Sequence, residues 1–68
     1  MKAGQIIVWQ VDYRGYTAKP GARAIVKKDL LYEDDYVIVE WIRDELSKDQ
    51  EDGEYFPSNF KIEENESN

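Results

Sequence analysis

Three stretches of this chain alternate apolar and polar positions with the period of two that a half-buried strand requires. Residues 5–13, QIIVWQVDY, place Ile7, Trp9, Val11 and Tyr13 on one face and Ile6, Val8, Gln10 and Asp12 on the other. Residues 22–29, ARAIVKKD, turn Ala24 and Val26 inward and Arg23, Ile25 and Lys27 outward. Residues 36–42, YVIVEWI, give the clearest alternation: Val37, Val39 and Trp41 oppose Tyr36, Ile38, Glu40 and Ile42, and Glu40 marks the wetter side. β-branched and aromatic residues run through all three stretches, as a pleated surface favours. EYFP, residues 54–57, predicts a fourth strand ended by Pro57, which cannot donate to a ladder. SNF then reads as one turn of 3₁₀ helix, and Lys61 and Ile62 as a short fifth strand.

The connections carry turn signals. RGYTAKPG, residues 14–21, is a loop punctuated by Gly15, Pro20 and Gly21. LLYEDD, residues 30–35, connects two strands, with Leu30 or Leu31 expected to plug one end of the fold. RDELSKDQEDG, residues 43–53, offers only Leu46 for burial, so it predicts a long, mobile, acidic hairpin loop and no amphipathic helix. Five short strands with no supported helix predict an all-β fold, a small barrel with a 3₁₀ turn before the last strand. Residues 1–62 are expected to form this single domain, with 63–68 as a flexible acidic tail.

Composition sharpens that expectation. With 68 residues there is one domain at most, and a chain this short buries roughly 60% of its unfolded surface. Cysteine and histidine are both absent. That removes disulfides, thiolate metal sites, the commonest metal ligand and the commonest general base. Two Trp, two Phe and five Tyr compensate, since large rings supply much contact area per residue. The apolar run IIVW is too short for a signal or membrane segment, and the lack of cysteine fits a reducing cytoplasm. Net charge is −6 and uneven. Residues 1–28 hold six Lys/Arg against one acid, and residues 29–68 hold three against fourteen.

One segment carries a family likeness. GEYFPSNF, residues 53–60, resembles the C-terminal signature of Src-homology-3 domains: Gly, a hydrophobic pair, Pro, Ser, Asn and an aromatic. DDYVIVEW, residues 34–41, resembles the preceding strand of that family, with Tyr36 at its exposed aromatic, and KPGARAIV resembles its diverging turn. The resemblance implies a five-stranded Src-homology-3-like barrel with an aromatic and proline shelf for a protein or peptide partner. Tyr13, Tyr16, Tyr36, Pro57 and Phe60 would form that shelf, into which a polyproline-II ligand packs. Each ring has a competing role in barrel packing, strongest for Phe60, and Tyr16 is expected to be exposed in its Gly-flanked loop. The opening family motif is reduced to VDY, and the following loop carries Arg14 and Lys19 in place of carboxylates. These departures bear on the proline-rich specificity much more than on the barrel, and the partner need not be proline-rich. The cadence is also similar to that of short acidic barrel proteins of phages, which implies a viral accessory role in the host cytoplasm.

No catalytic constellation is legible. The carboxylates gather at 33–35, 44–45, 49–54 and 63–66, in loops and tail. Glu40, the one acid inside a clear strand, is expected to pair with Lys27 or Arg23. DQEDGE lacks the alternating ligands of a calcium loop, so no metal and no cofactor are expected. The function expected is a non-enzymatic binding module acting through protein contacts, with no membrane partner and the oligomeric state left open. A small-barrel nucleic-acid binder is the alternative, using Arg14, Lys19, Arg23, Lys27 and Lys28 beside Tyr13 and Tyr16; the acidic half opposes it by repelling phosphate. A third reading takes the acids of 33–35 and 44–54 as a phosphate mimic.

Overall fold

The computed structural model describes residues 1–63. The fold is all-β: β1 (Ile6–Trp9), β2 (Arg23–Val26), β3 (Val37–Trp41), β4 (Gly53–Tyr55), one 3₁₀ turn (Pro57–Asn59) and β5 (Phe60–Ile62). The strands form one antiparallel sheet in the order β4-β3-β2-β1-β5, curled into a half-barrel. That architecture is compatible with the barrel the sequence resemblance implies. β4 and β5 are the two sheet edges and are joined through the 3₁₀ turn, so the ring of hydrogen bonds stays open.

Register follows the alternation. Ala24 lies opposite Trp41 and Val26 opposite Val39 across β2–β3. Trp9 lies opposite Phe60, and Ile7 opposite both Ala24 and Ile62. Small residues therefore face large ones: buried Ala22 and Ala24 leave room for both indoles. Trp9 is the hub, with ring centroids 5.0 Å from Phe60, 5.1 Å from Tyr16, 5.7 Å from Trp41 and 5.9 Å from Tyr55. The pairs with Phe60, Trp41 and Tyr55 are edge-to-face, and such pairs contribute about 0.5–1.5 kcal/mol each beyond area burial, which matters in a core this small. Leu30, not Leu31, packs against that core, and Leu30 N–H donates to the Met1 carbonyl at 2.8 Å.

The strands are shorter than the alternation suggests. β1 ends at Trp9, whose N–H donates to the Ala22 carbonyl at 2.7 Å; Gln10 N–H still continues the β1–β5 side by donating to the Asn59 carbonyl at 2.9 Å, and beyond it the chain leaves both ladders. Val11 is consequently half-buried and Tyr13 exposed. The 3₁₀ turn starts one residue earlier than expected, at Pro57, whose missing N–H is harmless at a first helical position. Past Ile62, Glu63 N–H donates to the Ile6 carbonyl at 2.9 Å and its carboxylate meets Arg23 at 3.2 Å. The rest of the expected tail, 64–68, lies outside the described residues.

Residues 43–52 form no helix, as expected, but they are knitted down rather than merely solvated. Ser47 is fully buried and its hydroxyl donates to the Ile42 carbonyl at 2.8 Å. Arg43 donates to the Ser47 and Gln50 carbonyls and to Asp52, the last at 2.8 Å. Asp52 in turn accepts Trp41 N–H at 2.9 Å, and the Trp41 indole donates to the Glu51 carbonyl at 3.0 Å. Gln50 ties the loop to the β1–β2 connection: its Oε1 accepts from the backbone N–H of Thr17 at 2.9 Å and of Ala18 at 3.0 Å.

Candidate interaction surface

The parity that buries Val37, Val39 and Trp41 necessarily turns Tyr36, Ile38 and Glu40 outward. On the neighbouring strand Tyr55 is inward, so the next residue, Phe56, leaves the sheet on the outer side, with extended backbone where it caps the 3₁₀ turn. Its ring is 53% exposed and packs on Tyr36, itself 52% exposed, at 5.0 Å between centroids. Ile38 lies opposite Glu54 on the same face. The β2–β3 connection adds Leu31, 79% exposed, and Tyr32. Leu31, Tyr32, Tyr36 and Ile38 line a shallow cleft of about 270 Å³. Its polar lining includes Asp29, Asp35 and Glu54, with Lys28 as the one cation.

The residues singled out from sequence are distributed over several places. Tyr36 sits in the exposed cluster just described. Tyr13 and Tyr16 are neighbours at 6.3 Å, but Tyr16 is half-buried against Trp9 and not free in its loop. Pro57 lines a separate groove of about 400 Å³ with Met1, Leu30, Glu33, Ser58 and Ile62. Phe60 is 5% exposed and belongs to the core, touching Trp9, Trp41 and Tyr55. Among the described residues, the ring beside Tyr36 is that of Phe56, not that of Tyr13 or Tyr16.

Phe56, Ile38, Leu31 and Tyr32 were not singled out from the sequence. Two signals bear on them. If one of two adjacent residues in EYFP points inward, the other points out. Of two adjacent leucines in a connection, one reaching the core leaves the other in water.

The basic residues are largely answered locally. Lys19 meets Asp12 at 3.5 Å, Arg23 meets Glu63 at 3.2 Å, and Lys27 meets Glu40 at 3.3 Å. Pairs this exposed contribute about 0–1 kcal/mol each to stability, yet they cancel charge where a phosphate backbone would need it. Among the described residues no group of three or more His, Cys, Asp and Glu side chains is placed to hold a metal ion. No helix among them is long and apolar enough to cross a membrane.

Fold and surface together define a small all-β protein with an exposed aromatic cluster beside an acidic cleft. No family model, curated protein or solved structure matches the chain.

Proposed function

We propose that this protein is a non-enzymatic interaction module with a Src-homology-3-like build. It docks a protein partner on the outer face of β3–β4 and the β2–β3 connection. The observation that carries this reading is the grouping of Tyr36, Phe56, Ile38, Leu31 and Tyr32, all large, all apolar in body and all exposed. Single exposed apolar residues are ordinary, whereas contiguous ones mark contact sites. Tyr36, Ile38 and Phe56 are held on or beside strands, so little backbone freedom is lost on contact. Aromatic anchors of this type dominate binding energy in protein interfaces. Local pairing of Lys19, Arg23 and Lys27 with carboxylates supports this reading over nucleic-acid binding.

The test compares capture of a partner from native lysate by the wild-type chain and by Tyr36→Ala. The variant is expected to keep its fold, because its ring is half in water. If Tyr36 is an anchor worth about 2 kcal/mol, affinity falls by roughly 30-fold. Equal capture by the wild type and by a Tyr36→Ala/Phe56→Ala double variant would refute the proposal.

A further inference from the structure

We infer that the occupant of the β3–β4 face is a segment of another protein that carries an arginine next to an aliphatic or aromatic side chain. The inference rests on the docking reading above and specifies the partner's chemistry. Four acids of the described residues are answered by cations of the same chain: Asp12, Glu40, Asp52 and Glu63. The carboxylates lining the cleft, those of Asp29, Asp35 and Glu54, have no such ion pair among the described residues. Asp29 accepts the Ala3 N–H at 2.8 Å; Lys28 lines the cleft without closing on any of the three.

A purely apolar occupant would strip water from those carboxylates and leave them unanswered, which is costly. A cation beside the apolar contact removes that cost. Arginine fits better than lysine because its flat guanidinium stacks on exposed rings such as Tyr32 and Tyr36 while its fork meets a carboxylate. A second copy of this chain fits poorly. A two-fold contact sets each patch against itself, bringing Asp29, Asp35 and Glu54 close to their own counterparts in a chain already at net charge −6.

The experiment titrates the ¹⁵N-labelled full chain with two synthetic hexapeptides, one alternating leucine and arginine, the other alternating leucine and glutamine. The leucine–arginine peptide is expected to shift the amides of residues 29–38 and 54–56, and the glutamine peptide to bind at least about tenfold more weakly. Asp35→Asn and Glu54→Gln, both exposed and so foldable, are each expected to weaken the arginine peptide about threefold, the size of one partly screened pair. Binding should fade between 0.01 and 1 M salt, over which the Debye length falls from about 30 to about 3 Å.

Equal binding of the two peptides at these amides would overturn the arginine requirement while leaving the docking face standing. No shift with either peptide overturns the inference, and the docking face is then judged by the Tyr36→Ala capture alone. Shifts of the same amides on raising protein concentration without peptide, or on adding oligothymidylate, would also overturn it in favour of self-association or nucleic acid.

Discussion

Gln50 is the perturbation with the most to say about how this fold holds. Its Oε1 accepts from Thr17 N–H at 2.9 Å, Ala18 N–H at 3.0 Å and Thr17 Oγ1 at 3.2 Å, and its Nε2 donates to the Tyr55 hydroxyl at 2.6 Å. In Gln50→Ala, water replaces the partners of exposed Thr17 at small cost. Ala18 is different: it is fully buried, so its N–H is left without an acceptor. An orphaned buried donor costs about 1–3 kcal/mol, and loss of the Tyr55 bond adds about 1 kcal/mol, for a total of about 2–4 kcal/mol. A chain of 68 residues has a total stability of roughly 3–10 kcal/mol at the usual per-residue value. Since 1 kcal/mol shifts the midpoint of a domain this size by about 4–8 °C, Tm is expected to fall by about 10 °C or more. Thermal unfolding followed by circular dichroism measures the shift, and hydrogen exchange locates it, with the Ala18 amide accelerating more than the amides of β3. Gln50→Glu keeps the acceptor but loses the donor and adds charge beside Asp49 and Glu51, so its loss should be smaller, about 1 kcal/mol. A Tm for Gln50→Ala within about 2 °C of wild type, well under the shift expected for 1 kcal/mol, would refute the claim that this side chain clamps the two loops together.

Two further outcomes follow from the core and the loops. Ile7 is fully buried, and truncating such a residue costs about 2–5 kcal/mol. Ile7→Ala should therefore lower the urea midpoint at 25 °C far more than Ile7→Val, which costs about 0.5–1.5 kcal/mol. Gly21 and Gly15 have similar backbone angles, φ +98° and +94°, but a Cβ at Gly21 would sit 3.4 Å from Leu46 Cδ1 while none lies within 4 Å at Gly15. Alanine at either position meets the left-handed penalty of about 1–2 kcal/mol. The midpoint for Gly21→Ala should be at or below that for Gly15→Ala, and a clearly higher midpoint would mean that Leu46 welcomes the extra methyl group.

The parts of the fold that could be read from the sequence are those governed by a local period. Val37, Val39 and Trp41 alternate with polar or exposed neighbours, and all three are in the core. The parts that could not be read depend on partners far along the chain. Gln50 sits in an acidic run and looks solvated, yet the N–H groups that donate to its Oε1 lie 32 and 33 residues away. Ser47 is polar, and hydropathy gives no sign that it will be buried by bonding the Ile42 carbonyl. Val11 and Tyr13 continue the alternation of β1 although the strand has already ended: Gln10 makes the last bond to the β5 side, and neither Val11 nor Tyr13 joins the ladder. In the surface cluster, Tyr36 was legible from the parity of its strand. Leu31 and Tyr32 were not, since a connection has no period to read.

Both faces of β3 carry large apolar side chains, Val37, Val39 and Trp41 inside and Tyr36 and Ile38 outside. Hydrophobicity alone therefore does not choose between this register and a slip of one residue, which would exchange the two faces. Two features break the tie. Trp41 needs a small residue across from it, and Ala24 is there. Glu40 is satisfied only outside, where it reaches Lys27 at 3.3 Å; turned inward it would be a buried charge without a partner, at a cost of several kcal/mol. Ala24 and Glu40 together thus hold the strand in the register that leaves Tyr36 and Ile38 facing water, so the exposed face proposed for docking follows from the same constraint that builds the core.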